Sequence, residues 1–135
     1  MSNIKIYNSG VSCGLTTWES PAAEYSELSV TLDNLIINNP NSTYLAFASG
    51  DSMNGYGIYN GDLLIVDRKP EPRSGSIVIV FLNGSMLCKK LDKERRCLLS
   101  ANDCQEPIYI SEDDDFSVEG TLIRSIRLFT PLEGV

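Results

Sequence analysis

Apolar and polar positions along the chain follow two regimes that meet near residue 31. Before that point Ser, Thr, Gly, Asn and Pro21 interrupt every apolar run, and no period is sustained. Residues 1–31 therefore read as an extended, flexible N-terminal arm. The stretch "TLDNLIIN" gives the first helical signal. Thr31 is a suitable N-cap, Leu32, Leu35 and Ile36 share one face, and Pro40 stops the run after about two turns.

From Thr43 onward the pattern is that of strands: "TYLAFAS", "GDLLIVDR", "SIVIVFL", "SMLCKKL", "CLLSA", "IYIS" and "FSVEGTLIRSIRLF". Asn83-Gly84 lies between two apolar runs and predicts a type I′ hairpin, because both central residues must take positive φ. With these two as the loop, Leu82 pairs with Ser85 and, counting outward, Val78 with Lys89. Gly120 inside the last run marks a bulge or bend. The expected class is mostly β, with residues 32–135 forming one β domain, a curved sheet or partly closed barrel, behind one short helix.

Composition narrows the function. With 11 basic and 18 acidic residues the net charge of the 135-residue chain is -7, a surface that repels phosphate backbones, so no direct duplex DNA binding is expected. No apolar window is long enough for a membrane span and residues 1–12 lack a signal-peptide core, so a cytoplasmic location is expected. Cys13, Cys88, Cys97 and Cys104 form no C-x-x-C pair and no histidine accompanies them. We expect free thiols, with no metal site and no cofactor. Glu112, Asp113, Asp114 and Asp115 read as a solvated acidic turn.

The stretch "SGDSM" places Ser52 in a tight turn. A serine hydroxyl is a poor nucleophile unless a base takes its proton, and with no histidine in the chain that base is a carboxylate or a neutral lysine. The alternative is ordinary turn chemistry, in which Asp51 bonds the turn's backbone. In "SMLCKKL" alternation sends Leu87, Lys89 and Leu91 to one face and Met86, Cys88 and Lys90 to the other, and both faces are apolar. One of the two lysines is thus carried towards an apolar wall. For Lys89 the neighbours are Val78, Val80 and Leu87, and desolvation there lowers an amine's pKa.

Residues 48–91, with Ser-Met in G-D-S-M, then G-D-L-L-I-V-D, then K-K-L, resemble the core of the LexA/UmuD family of self-cleaving Ser/Lys peptidases. The resemblance implies a LexA/signal-peptidase-like β fold with Ser52 as nucleophile and Lys89, 37 positions on, as general base. It also implies backbone N–H groups of Asp51 and Ser52 as the oxyanion hole. Upstream, "CGLTTWESPAA" resembles the UmuD branch, which implies self-cleavage between Cys13 and Gly14. That branch implies a homodimer, activation by the RecA filament on single-stranded DNA, and a UmuC-like Y-family polymerase subunit as partner. A LexA-type repressor would need a DNA-binding domain for which residues 1–31 leave no room, and a signal peptidase would need a membrane anchor. A non-enzymatic dimeric module of the same fold, and a LexA-like peptidase serving another regulatory system, are the competing readings.

Overall fold

The computed structural model describes residues 4–14, 25–102 and 104–135. These fall into two units, Met1–Asn38 and Asn39–Val135. In the first, β1 (Lys5–Tyr7) and β2 (Tyr25–Glu27) pair antiparallel, with Tyr7 opposite Tyr25 and the two rings 5.4 Å apart. Helix α1 (Leu32–Ile36) is capped as its sequence requires, Thr31 Oγ1 accepting the Asn34 N–H at 3.4 Å. No residue of α1 is buried, and Leu32 and Leu35 are both exposed.

The second unit is built on one antiparallel sheet. Its strands are β3 (Thr43–Phe47), β4 (Leu63–Asp67), β5 (Ile77–Leu82), β6 (Ser85–Asp92), β7 (Cys97–Leu99), β8 (Ile108–Tyr109) and β9 (Phe116–Ile126). Their order across the sheet is β3-β4-β9-β5-β6-β7-β8. The class is mostly β, as the strand pattern indicates. The β5–β6 hairpin closes on Asn83 and Gly84, at φ 48 and 92, with Leu82 opposite Ser85 and Val78 opposite Lys89. The acidic run folds into the adjoining turn. Asp114 accepts the Ser111 N–H at 2.8 Å, and Asn83 and Asp115 exchange bonds across the two turns.

Strand β9 carries two bulges. Ile65 faces Arg124 while Val66 faces Leu122, and Ile79 faces Gly120 while Val80 faces Val118. Gly120 is indispensable at the second, since its φ is +150 and a Cβ there would stand 2.5 Å from Val66 Cγ1. Alternation on β5 then separates two apolar clusters. Ile79 packs with Met53, Ile58, Leu64 and Val66, whereas Val78 and Val80 pack with Leu91 and Leu98. Val66, Val78 and Val80 are fully buried, each burial contributing roughly 1.5–3 kcal/mol. Among the described residues no helix is long and apolar enough to cross a membrane.

Candidate active site

Residues 48–62, between β3 and β4, form a loop braced by its own backbone. The Ala48 N–H donates to Asp62 O at 2.9 Å and the Gly61 N–H to Ala48 O at 2.8 Å. Within it Met53 is buried in the apolar cluster and begins a short 3₁₀ turn over Asn54–Tyr56, which closes at Gly57 with φ 83. Gly50, at φ 94, donates its N–H to Asn60 Oδ1 at 2.9 Å. Ser52 lies between this glycine and the buried methionine.

Lys89 reaches this turn from β6. It is only 8% exposed, and its Nζ is hydrogen-bonded to Ser52 Oγ at 3.0 Å and to Ser100 Oγ at 2.8 Å. Among the described residues it makes no ion pair with any carboxylate. Burial therefore pushes the amine below its ordinary pKa, opposed only by Cys88. The Cys88 thiol is itself pushed up to about 11 by burial, so at neutral pH it offers Lys89 no counter-charge. A neutral amine so placed donates an N–H to Ser100 and turns its lone pair to the Ser52 proton. Lys90, one position on, lies over the Tyr56 ring, 5.2 Å from its centre, and among the described residues makes no hydrogen bond to Ser52.

Ser100 was not singled out from the sequence. The signal that finds it is register: Lys90 pairs with Leu99 and Asp92 with Cys97, so the next residue after β7 falls beside Lys89. The same segment holds the serine turn through the Ala101 N–H, which donates to Ser52 O at 2.8 Å. The fit leaves no space at Gly55, where a Cβ would stand 2.5 Å from Ala101 O.

Ser49, Gly50, Ser52, Met53, Met86, Leu87, Cys88 and Lys89 line a cleft of about 100 Å³, a volume suited to a small side chain. Among the described residues neither the Asp51 nor the Ser52 N–H has a hydrogen-bond acceptor, so both donors remain open. Cys13 and Gly14 belong to the first unit, where both are exposed and follow β1. Residues 15–24, which include the P-A-A segment, lie outside the described residues.

Over residues 5–123 the sequence matches the family described as Peptidase S24-like. It is 37% identical over 109 residues to Protein SamA of Salmonella typhimurium, an alignment covering 80% of this chain and 78% of that protein. It is 44% identical over 72 residues to Protein ImpA of Salmonella typhimurium, covering 53% and 50%. To LexA repressor 2 of Xanthomonas axonopodis pv. citri it is 40% identical over 100 residues, covering 73% and 46%. The chain thus spans about half the length of the latter two relatives.

Proposed function

Because the chain belongs to the Peptidase S24-like family, the LexA/UmuD family, on its UmuD-like side, we propose that it cuts its own Cys13-Gly14 bond with Ser52 as nucleophile and Lys89 as general base. Membership supports a serine-peptidase kind of activity, and the UmuD-like relatives support a part in SOS mutagenesis. One observation carries the assignment of residues: a buried amine with no carboxylate partner, 3.0 Å from the hydroxyl of a backbone-held serine.

In the proposed reaction the Ser52 proton passes to neutral Lys89 Nζ while Oγ bonds to the Cys13 carbonyl carbon. The Asp51 and Ser52 N–H groups receive the oxyanion. The tetrahedral adduct collapses, the Cys13-Gly14 C–N bond breaks, and Lys89 returns the proton to the departing Gly14 amine. Water then attacks the acyl-enzyme, giving one proton to Lys89; as the Ser52 ester bond breaks Lys89 passes that proton to Ser52 Oγ, and the released Cys13 carboxylic acid loses the remaining water proton to solvent. Glycine after the scissile bond suits a segment that must enter a narrow cleft, because it brings no side chain.

The downstream reading is that the product, residues 14–135, serves as accessory subunit of an error-prone Y-family polymerase. A homodimer, the RecA filament as activator, a UmuC-like catalytic partner and a cytoplasmic location belong to the same proposal. Intact-mass spectrometry after prolonged incubation at alkaline pH tests the chemistry: loss of residues 1–13, leaving 135 − 13 = 122 residues, is the expected result. An unchanged mass in the presence of activated RecA filament would falsify it.

A further inference from the structure

The loop that precedes β4 is tied down at both of its sides. Towards the serine, Asn60 Oδ1 accepts the Gly50 N–H, two residues before Ser52. On the other side Asp62 is 1% exposed, and its carboxylate accepts the Tyr59 N–H at 2.9 Å and two N–H groups of the Arg127 guanidinium. Arg127 also donates to Gly57 O at 3.3 Å, and its guanidinium lies 4.2 Å from the centre of the Tyr59 ring. One side chain thus grips Gly57, Tyr59 and Asp62 at once. Arg127 stands immediately after β9, and residues 129–135 beyond it are exposed, Phe129 to 94%.

We infer that Arg127 is a positioning residue for the Ser52 turn, holding the 57–62 loop so that Asn60 can fix Gly50 and aim the open N–H groups of Asp51 and Ser52. The inference rests on the peptidase reading above and adds to it a residue that touches no reacting atom. The guanidinium is the right group for the task. Its planar fork spans a carboxylate and a carbonyl together and stacks on a ring, which an ammonium cannot do. Without it a carboxylate inside the fold loses its only cationic partner among the described residues, and the loop must open to hydrate it. Anything that draws on the exposed segment after Arg127 would act on the same joint.

The test uses the full chain and two readouts, amide hydrogen exchange at Gly50 and the rate of self-cleavage at alkaline pH. Arg127→Ala is expected to raise exchange at Gly50 by roughly tenfold or more. It should slow cleavage by roughly 10- to 100-fold, as a misplaced catalytic turn does. Millimolar methylguanidinium should reverse both effects, because the vacated site is open to solvent, whereas methylammonium at equal ionic strength should not. Arg73→Ala, which removes an exposed arginine elsewhere, should change neither. Arg127→Lys guards against simple unfolding: it keeps a cation beside Asp62 yet should still show faster exchange and slower cleavage. Unchanged Gly50 exchange in Arg127→Ala, a wild-type cleavage rate in either Arg127 variant, or a loss that methylguanidinium leaves in place would each overturn the inference. A wild-type chain that never cleaves sinks the peptidase reading instead, while the exchange data still decide whether Arg127 holds the turn.

Discussion

Among the described residues of the sheet unit, Asp62 and Asp67 on one side and Lys89 on the other are the buried charged side chains, and their surroundings are opposite. Asp67 accepts from Asn39 at 2.7 Å, from Ser42 at 2.6 Å and from the Lys69 N–H at 2.9 Å, and Asp62 has Arg127 and the Tyr59 N–H. Burial pushes the Asp67 carboxyl up, but its donors together outweigh that; at Asp62 the Arg127 hydrogen bond leads over burial, and both groups sit below the ordinary carboxylate pKa. Lys89 has two hydroxyls and no anion. Burial with matched partners fixes a charge and serves the fold; burial without them loosens a proton and serves chemistry.

Removing the members of the unmatched site should have the largest effect and the least structural cost. Ser52→Ala and Lys89→Ala are each expected to abolish self-cleavage in a chain that remains folded, while Lys90→Ala retains it. Gel analysis with circular dichroism reads both. Activity surviving in Lys89→Ala and lost in Lys90→Ala would mean that the contrast is drawn around the wrong lysine.

The pH dependence separates the two kinds of burial next. Well below the Lys89 pKa the neutral fraction, and with it the cleavage rate, should rise about tenfold per pH unit. A rate flat between pH 7 and 10 in folded protein would point to a carboxylate base. Stability should also rise with pH, in two separate windows. For Asp62, held low first by Arg127, the stabilisation is present above its ordinary value of 3.8 and is lost as pH falls through the folded value. For Lys89, lowered by burial, the unfolded chain holds more protons between the folded value and the ordinary 10.5, so stability climbs across that alkaline range. Urea midpoints measured from pH 2 to 11 should show both rises, and Lys89→Met should erase only the second.

At fixed neutral pH the same contrast reverses sign. Asp67→Ala strands three donors and should cost roughly 2–4 kcal/mol in urea unfolding. Lys89→Met exchanges an unmatched amine for an apolar chain of similar length and should add about 1 kcal/mol. A destabilised Lys89→Met would show that the amine is better accommodated than its partners suggest. The smallest effect is expected at Ser100→Ala, which deletes one bond to Nζ and should slow cleavage roughly threefold, towards the low end of what a single hydrogen bond contributes.

How far the sequence discloses this arrangement depends on how local each interaction is. The Asn83-Gly84 turn sets the register of β5 and β6 within 16 residues, so Lys89 opposite Val78 is readable by counting. Thr31 and Gly120 are similarly legible, one as a cap and the other as a bulge. The pairing of β1 with β2 is not legible, since each strand has three residues, neither alternates, and Tyr7 and Tyr25 stand 18 positions apart. Arg127 on Asp62 joins positions 65 apart, and no local pattern announces such a pair. Ser100 lay within reach of register logic, but the short β6–β7 turn, with Arg96 at φ 55, lacks the glycine that would have fixed its length in advance.

Strand β9 lies between the two parts of the sheet that supply the proposed dyad: β3 and β4 flank the Ser52 loop on one side, and β6, paired with β5, carries Lys89 on the other. It bonds to β4 and to β5 and joins them, and it is the last of the described strands. During synthesis on the ribosome both Ser52 and Lys89 are therefore made, and the β5–β6 hairpin can close, well before residues 116–126 emerge to draw the two parts together. A growing chain carries Ser52 and Lys89 without the seam that aligns them until β9 has emerged, so the onset of the proposed chemistry waits for that strand.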